Sequence, residues 1–150
     1  MDRIKSRFRF IPTMLYLMLA LGIVGCARQP EYAPPLLSGS DVAIEVSKLQ
    51  EGIPLFLTHD HRGKKISFFV VKIDNTVLSF LDACNACYPH KRGYKYDHGM
   101  IVCLYCKEKY LINEIAAGSG NCYPIKLPGR IQAGRYLIAV LSLEKNANKF

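Results

Sequence analysis

The chain has 150 residues, half of them hydrophobic, with 20 Lys/Arg against 12 Asp/Glu for a formal charge of +8. That length allows one domain with flanking segments, and the apolar content is ordinary for a globular protein. Residues 1–25 hold four of the basic residues and one acid, so sixteen basic and eleven acidic residues remain beyond them, a net +5. No dense basic stripe is present, which excludes a nucleic-acid binder; the moderate charge suits an anionic membrane surface or an acidic partner protein.

Arg3, Lys5, Arg7 and Arg9 form a positive leader ahead of an apolar run from Ile11 to Gly25, interrupted by Pro12, Thr13 and Tyr16. The run is shorter than the roughly 20 residues that span a bilayer, so residues 1–25 read as a secretory signal. The run ends Ile23-Val24-Gly25-Cys26, which resembles the lipobox of bacterial lipoproteins, with Ile where Leu is commoner. The resemblance implies cleavage before Cys26 and lipidation of its thiol. It would place the protein in the bacterial cell envelope, membrane-anchored and facing the periplasm or the exterior. An uncleaved signal anchor with an unmodified Cys26 is the alternative. Each buried methylene contributes about 0.8 kcal/mol, and more than one acyl chain makes such an anchor stable. Ala27 does not specify the inner membrane. Residues 26–40 carry Pro30, Pro34, Pro35, Ser38, Gly39 and Ser40 and read as a linker; residues 41–150 read as the folded domain.

Val42, Ile44 and Val46 alternate with Ala43, Glu45 and Ser47, predicting a strand with one apolar face. Gly52-Ile53-Pro54 breaks the chain, Leu55 to Thr58 predicts a second strand, and His59 to Gly63 reads as a polar turn. Ile66–Ile73 and Thr76–Leu81 are rich in β-branched and aromatic residues, joined by Asp74-Asn75, a two-residue hairpin turn by composition. Lys91-Arg92-Gly93 and Asp97-His98-Gly99 predict a further hairpin, and Tyr110 to Ile112 a short strand. Residues 113–117 are compatible with one helical turn. Pro124, Pro128 and Gly129 suggest an irregular stretch before a last strand over Tyr136–Leu143. With no long helical periodicity after residue 40, the expected fold is mainly β, a small antiparallel sandwich or barrel with cysteine loops at one end.

Those loops are Cys84-Asn-Ala-Cys87 and Cys103-Leu-Tyr-Cys106, separated by fifteen residues and followed after another fifteen by Cys122. Sulfurs at i and i+3 of one turn can share a metal ion, and two such knuckles supply four thiolates. A disulfide framework suits an exported protein, but a Cys-x-x-Cys disulfide closes a very small loop, and five cysteines beyond Cys26 is an odd count. A thioredoxin-like redox pair needs a βαβ unit that is not evident. Covalent c-type haem is disfavoured, because Tyr88 and Lys107 follow the knuckles where histidine is needed. A metal or cluster site accounts for the spacing best, and its binding energy of roughly 10–16 kcal/mol matches a small domain's whole stability. Spacing alone does not separate iron–sulfur from zinc.

Asp82-Ala83-Cys84-x-x-Cys87, Lys91-Arg92-Gly93-Tyr94, Gly99-Met100-x-x-Cys103-x-x-Cys106, Tyr110 and Gly120-Asn121-Cys122-x-Pro124 resemble the FtrD-like membrane iron–sulfur family. The resemblance implies that Cys84, Cys87, Cys103 and Cys106 bind a metal centre, with Cys122 associated. It also implies a link to iron-permease components, in which electron transfer is the proposed role. Two positions depart from the family pattern: Asn121 replaces a glycine before the last cysteine, and Lys107 stands where glycine is common. Many members sit on several membrane helices, whereas this chain would hang from a lipid. More weakly, Cys103-x-x-Cys106, Tyr110 and Cys122-Tyr-Pro-x-x-Leu127 resemble the order of elements in Rieske domains, with cysteines replacing the histidine ligands. An all-cysteine [2Fe–2S] shell would sit nearer about −400 mV than the Rieske range.

His90 is a candidate hydrogen-bond donor to the sulfurs or stand-in ligand, and a polar loop residue otherwise. Six tyrosines inside the cysteine block (88, 94, 96, 105, 110 and 123), Tyr105 foremost, are candidates to shield the centre from water and donate hydrogen bonds to it, ordinary β packing being the plainer reading. Lys91, Arg92, Lys95, Lys107 and Lys109 form either a docking face for an acidic redox partner or a solvated basic surface. His59-x-His61 would suit a transition-metal site only with a third ligand, which the neighbourhood does not supply, so a solvated turn is the reading adopted. No nucleophile–base pair or phosphate-binding loop is present. The expected function is an extracytoplasmic iron–sulfur electron carrier in iron uptake or a respiratory chain. The alternative is a binding or assembly lipoprotein with structural zinc or disulfides.

Overall fold

The computed structural model describes residues 32–118 and 122–150. The leader, Cys26 and the Gly120-Asn121 pair lie outside them. Eleven short strands appear among the described residues: β1 Leu36–Ser38, β2 Asp41–Glu45, β3 Leu55–His61, β4 Lys64–Ile73, β5 Thr76–Cys84, β6 Tyr94–Asp97, β7 Met100–Cys103, β8 Lys109–Leu111, β9 Pro124–Leu127, β10 Arg130–Gln132 and β11 Arg135–Ala139, followed by one short helix, α1 Val140–Glu144. They form three antiparallel sheets, ordered β1-β2-β11-β10, β3-β4-β5-β9 and β6-β7-β8. No sheet among the described residues closes on itself, so the mainly β fold is layered, not a barrel.

The middle sheet explains why β4 reads as a continuous apolar run. Its side chains alternate between two cores, Ile66, Phe68 and Val70 on one side and Phe69, Val71 and Ile73 on the other. A strand covered on both faces has no polar side to alternate with. The first core adds Val42 and Ile44 of β2, Tyr136 and Ile138 of β11, and Leu143 of α1. The second adds Tyr94 of β6, Ile101 and Cys103 of β7, and Cys84 and Cys87. The cysteine block therefore packs on one face of the middle sheet, and the two chain ends of the domain cover the other.

Asp74 and Asn75 both take positive φ, 47° and 62°, and join β4 to β5 as the composition predicts. His98 and Gly99, with φ of 47° and 83°, turn β6 into β7. Other predictions need correction. The turn after β3 is only Arg62-Gly63; His59, Asp60 and His61 continue the strand, paired with Ile66, Lys65 and Lys64. The polar composition of this stretch reflects a partly exposed strand end. The last strand stops at Ala139, because Val140 and Leu143 face the first core at helical spacing while Leu141 between them is 59% exposed. Residues 124–132 are not irregular. Pro124 begins β9, where a missing N–H is tolerated, and Pro128-Gly129 lies between β9 and β10. A Cβ at Gly129 would come within 2.2 Å of the Tyr136 ring. Residues 112–114, at the edge of the undecided helical turn, form a 3-10 turn. Pairing begins inside the stretch read as linker: Ala33 bonds β3 through Thr58 N–H at 3.0 Å, and β1 pairs with β2.

Candidate metal centre

Each knuckle leaves the end of a strand. β5 ends at Cys84, and the backbone N–H of Cys87 returns to donate to Cys84 Sγ at 3.2 Å. β7 ends at Cys103, whose carbonyl accepts from Lys107 N–H and whose N–H donates to the Glu108 carbonyl, both at 3.0 Å. That turn forces Lys107 to φ 67°, the region in which glycine is at ease, which accounts for the glycine common at this position in the family pattern. The second knuckle is tied to the turn before β6 by Leu104 N–H donating to the Gly93 carbonyl at 2.9 Å. Cys122 arrives from the loop before β9, and the neighbouring Tyr123 carbonyl accepts from Asn85 N–H in the first knuckle at 3.3 Å.

The sulfurs of Cys84, Cys87 and Cys103 lie within 4.8 Å of one another, and so do those of Cys87, Cys106 and Cys122. Cys87 belongs to both groups. All five are thiols; Cys84, Cys87 and Cys103 are buried and the other two half-buried. Burial pushes the Cys84 thiol up, but hydrogen bonds from Cys87, Ala86 and Tyr94 outweigh it and hold it below the ordinary thiol range. Burial is likewise outweighed at Cys106, by the Glu108 N–H and the thiols of Cys103, Cys122 and Cys87. Burial, with the neighbouring thiols of Cys84 and Cys106, drives Cys87 well up, and burial raises Cys103. Cys122 is pushed up to about 11 by its hydrogen bond with Cys106 and then by burial. Five thiols this close cannot all ionise beside one another. A bound cation removes that conflict by taking them as thiolates. An all-sulfur, buried donor set of this kind fits an iron–sulfur centre.

Around the sulfurs runs a set of buried polar groups. Tyr94 is fully buried, and its hydroxyl donates to the Cys122 carbonyl at 2.6 Å and reaches the Cys84 sulfur. Its N–H donates to Asp82 Oδ1 at 2.6 Å, and the Tyr32 hydroxyl donates to Asp82 Oδ2. Burial raises the Asp82 carboxyl to about 6, against the pull of those two hydrogen bonds. Gly93 sits directly against this carboxylate; a Cβ there would lie 2.3 Å from Asp82 Oδ2. Asp82 thus holds β5, β6 and the chain at Tyr32 together immediately before the first cysteine. His90 and Tyr105 stack on each other, rings 3.6 Å apart and 9° from parallel, joining the two knuckles at their exposed rim. Tyr110 and Tyr123 pack at 4.0 Å beside Cys122.

A cleft of about 570 Å³ opens at the sulfurs, lined by Cys84, Cys87 and Cys103 and by Lys64, Lys65, Lys91, Arg92 and Lys149. Of the expected basic ring only Lys91 and Arg92 line this cleft. Lys95 pairs with Asp97 at 3.2 Å, and Lys107 caps the Leu104 carbonyl of its own knuckle at 2.8 Å. Tyr94 is one of the six tyrosines that the sequence offers as shields and hydrogen-bond donors, and its alternation with the half-buried Lys95 in β6 faces it inward. No local signal marks Tyr32, fifty residues from its partner.

No helix among the described residues is long and apolar enough to cross a membrane. Comparison with curated proteins finds no match. Among solved structures, the ferredoxin of carbazole 1,9a-dioxygenase from Nocardioides aromaticivorans IC177 is similar at 16% identity and a TM-score of 0.43, over 71% of this chain and 98% of that one. The quaternary ammonium Rieske monooxygenase CntA, in complex with an inhibitor, is similar at 19% identity and a TM-score of 0.43; 66% of this chain matches 30% of that one. The family of membrane iron–sulfur-containing proteins described as FtrD-like matches residues 49–150; that span contains all five clustered cysteines, and the chain belongs to this family.

Proposed function

We propose that the protein is an electron carrier of the bacterial cell envelope, lipid-anchored through Cys26, whose iron–sulfur centre is held by Cys84, Cys87, Cys103 and Cys106 with Cys122 beside it. The observation that carries this reading is the pair of three-sulfur groups sharing Cys87. A single zinc ion takes four ligands, whereas two overlapping groups suit a centre with more than one metal atom. When bound, such a cluster accepts and releases an electron. The chain's own part is to exclude water with the Phe69, Phe80 and Tyr94 side of the second core. The Tyr94 hydroxyl lies beside the Cys84 sulfur and fixes the Cys122 carbonyl next to it. The basic cleft supports docking of an acidic redox partner. Iron uptake or a respiratory chain is the setting that family membership favours.

Anaerobic purification of the full chain with iron and sulfide analysis tests the centre. The expected result is a coloured protein whose visible spectrum bleaches with dithionite, and a Cys106→Ser variant without iron. A colourless protein with one zinc per chain would refute it. Mass spectrometry of the membrane-bound form tests the anchor; an unmodified Cys26 would remove that part of the proposal.

A further inference from the structure

A second cluster of side chains with metal-ligand chemistry lies on the other face of the middle sheet. His59 and His61, two residues apart on β3, point to the same side as the buried Leu57, which belongs to the first core. α1 lies over that core through Leu143, which is fully buried, and the next residue, Glu144, reaches the two imidazoles. His61 Nδ1 is 2.8 Å and His59 Nε2 is 3.8 Å from Glu144 Oε1, and the three donor atoms all lie within 4.8 Å of one another. The side chains are 11%, 24% and 29% exposed, in the order His59, His61, Glu144. His59 Nε2 is shielded from solvent and makes no hydrogen bond. A ring nitrogen in that position has lost water without gaining a protein partner.

We propose that His59, His61 and Glu144 form a binding site for a first-row divalent transition-metal ion, separate from the cysteine centre. Donors held about 2.1 Å from one ion lie about 3–3.5 Å apart, a range that the two separations from Glu144 Oε1, 2.8 and 3.8 Å, bracket. Two imidazoles and one carboxylate select zinc, cobalt, nickel, ferrous or cupric ions over calcium and magnesium, which prefer oxygen shells. Three protein donors leave open coordination positions, as catalytic or transfer sites do and closed structural sites do not. A bound ion would give His59 Nε2 the partner it lacks. Glu144 would exchange its hydrogen bond to His61 for a shared cation. Lys64 opposes His61 in the sheet, and its ammonium is directed to the Ala147 carbonyl at 3.4 Å. The site stands on its own geometry and does not depend on what the cysteines hold.

The test is titration of the anaerobically purified full chain, its cysteine centre loaded, with Zn²⁺ by calorimetry and Co²⁺ by absorption. One further equivalent should bind, with the weak visible bands of nitrogen and oxygen ligation and without intense thiolate charge-transfer bands. His61→Ala and the isosteric Glu144→Gln should each weaken it at least about tenfold, the lower end of what losing even an outer partner of a metal costs. Iron and sulfide content should stay as in the parent, and both variants should still unfold cooperatively without added metal, at a temperature lowered only by the lost His61–Glu144 hydrogen bond. A hundredfold excess of Ca²⁺ should not compete. The proposal is overturned if no further equivalent binds, if either variant binds it undiminished, or if Ca²⁺ displaces it. Should His61→Ala fail to fold, His59→Gln carries the same expectation, since it removes the nitrogen that has no partner to lose.

Discussion

Replacing Gly93 with alanine tests how the buried carboxylate positions the cysteine loops. Gly93 has φ +64°, and a Cβ there would meet Asp82 Oδ2 at 2.3 Å, Cγ at 2.7 Å and Oδ1 at 2.8 Å. Alanine in a left-handed conformation costs about 1–2 kcal/mol. Asp82 must then move, and it is only 6% exposed, with its oxygens bonded to Tyr94 N–H and the Tyr32 hydroxyl. Breaking one hydrogen bond to such a group adds about 1.5–3 kcal/mol, for a total of roughly 2.5–5 kcal/mol, a large part of a small domain's stability. Gly99→Ala is the control, because Gly99 also has positive φ, +83°, but nothing within 4 Å; it should cost only the 1–2 kcal/mol of strain. Urea denaturation followed by circular dichroism measures both. In an Asp82→Ala background the Gly93→Ala penalty should fall to that of the control. Equal penalties for the two glycines, or a Gly93 penalty unchanged when Asp82 is gone, would refute the reasoning.

Lys107→Gly should stabilise the protein by about 0.5–1 kcal/mol in the same denaturation assay, because it relieves φ 67° at a position where only an exposed ammonium–carbonyl bond is lost. Tyr94→Phe should leave the iron content unchanged and lower the midpoint potential in an EPR-monitored redox titration, since it removes the hydroxyl that reaches the Cys84 sulfur and the Cys122 carbonyl. An unchanged potential would mean that Tyr94 serves packing only. Leu143→Ala should cost about 2–5 kcal/mol in thermal unfolding as a buried cavity. It should also weaken Zn²⁺ binding at His59 and His61, because it loosens the helix that carries Glu144.

Much of the chain is legible without coordinates. The strand β2, though not its one-sided alternation, the Asp74-Asn75 and His98-Gly99 turns and the Cys-x-x-Cys spacing are written in residues that touch their own neighbours, where backbone sterics and i to i+3 geometry decide the outcome. The clustering of the knuckles was legible for the same reason: each is a local turn, and family resemblance supplied their common destination. What local pattern could not give were choices made across the sheets. His59 to His61 read as a turn because polar residues end strands and make turns alike, and only pairing with Ile66, Lys65 and Lys64 shows that the strand continues. Tyr136 to Leu143 read as one strand because apolar β-branched runs suit both structures; the core beneath Leu143 turned its end into a helix.

The contacts that make the two sites specific span the chain: Tyr32 to Asp82 over fifty residues, and His61 to Glu144 over eighty-three. Neither partner changes the propensity of the other's neighbourhood, so no window of sequence registers the pair. Composition and spacing determined that this is a β protein gathering thiols. The packing of three sheets decided which tyrosine reaches a sulfur and which carboxylate meets the histidines, because side chains far apart in sequence meet only after both faces of the middle sheet are buried.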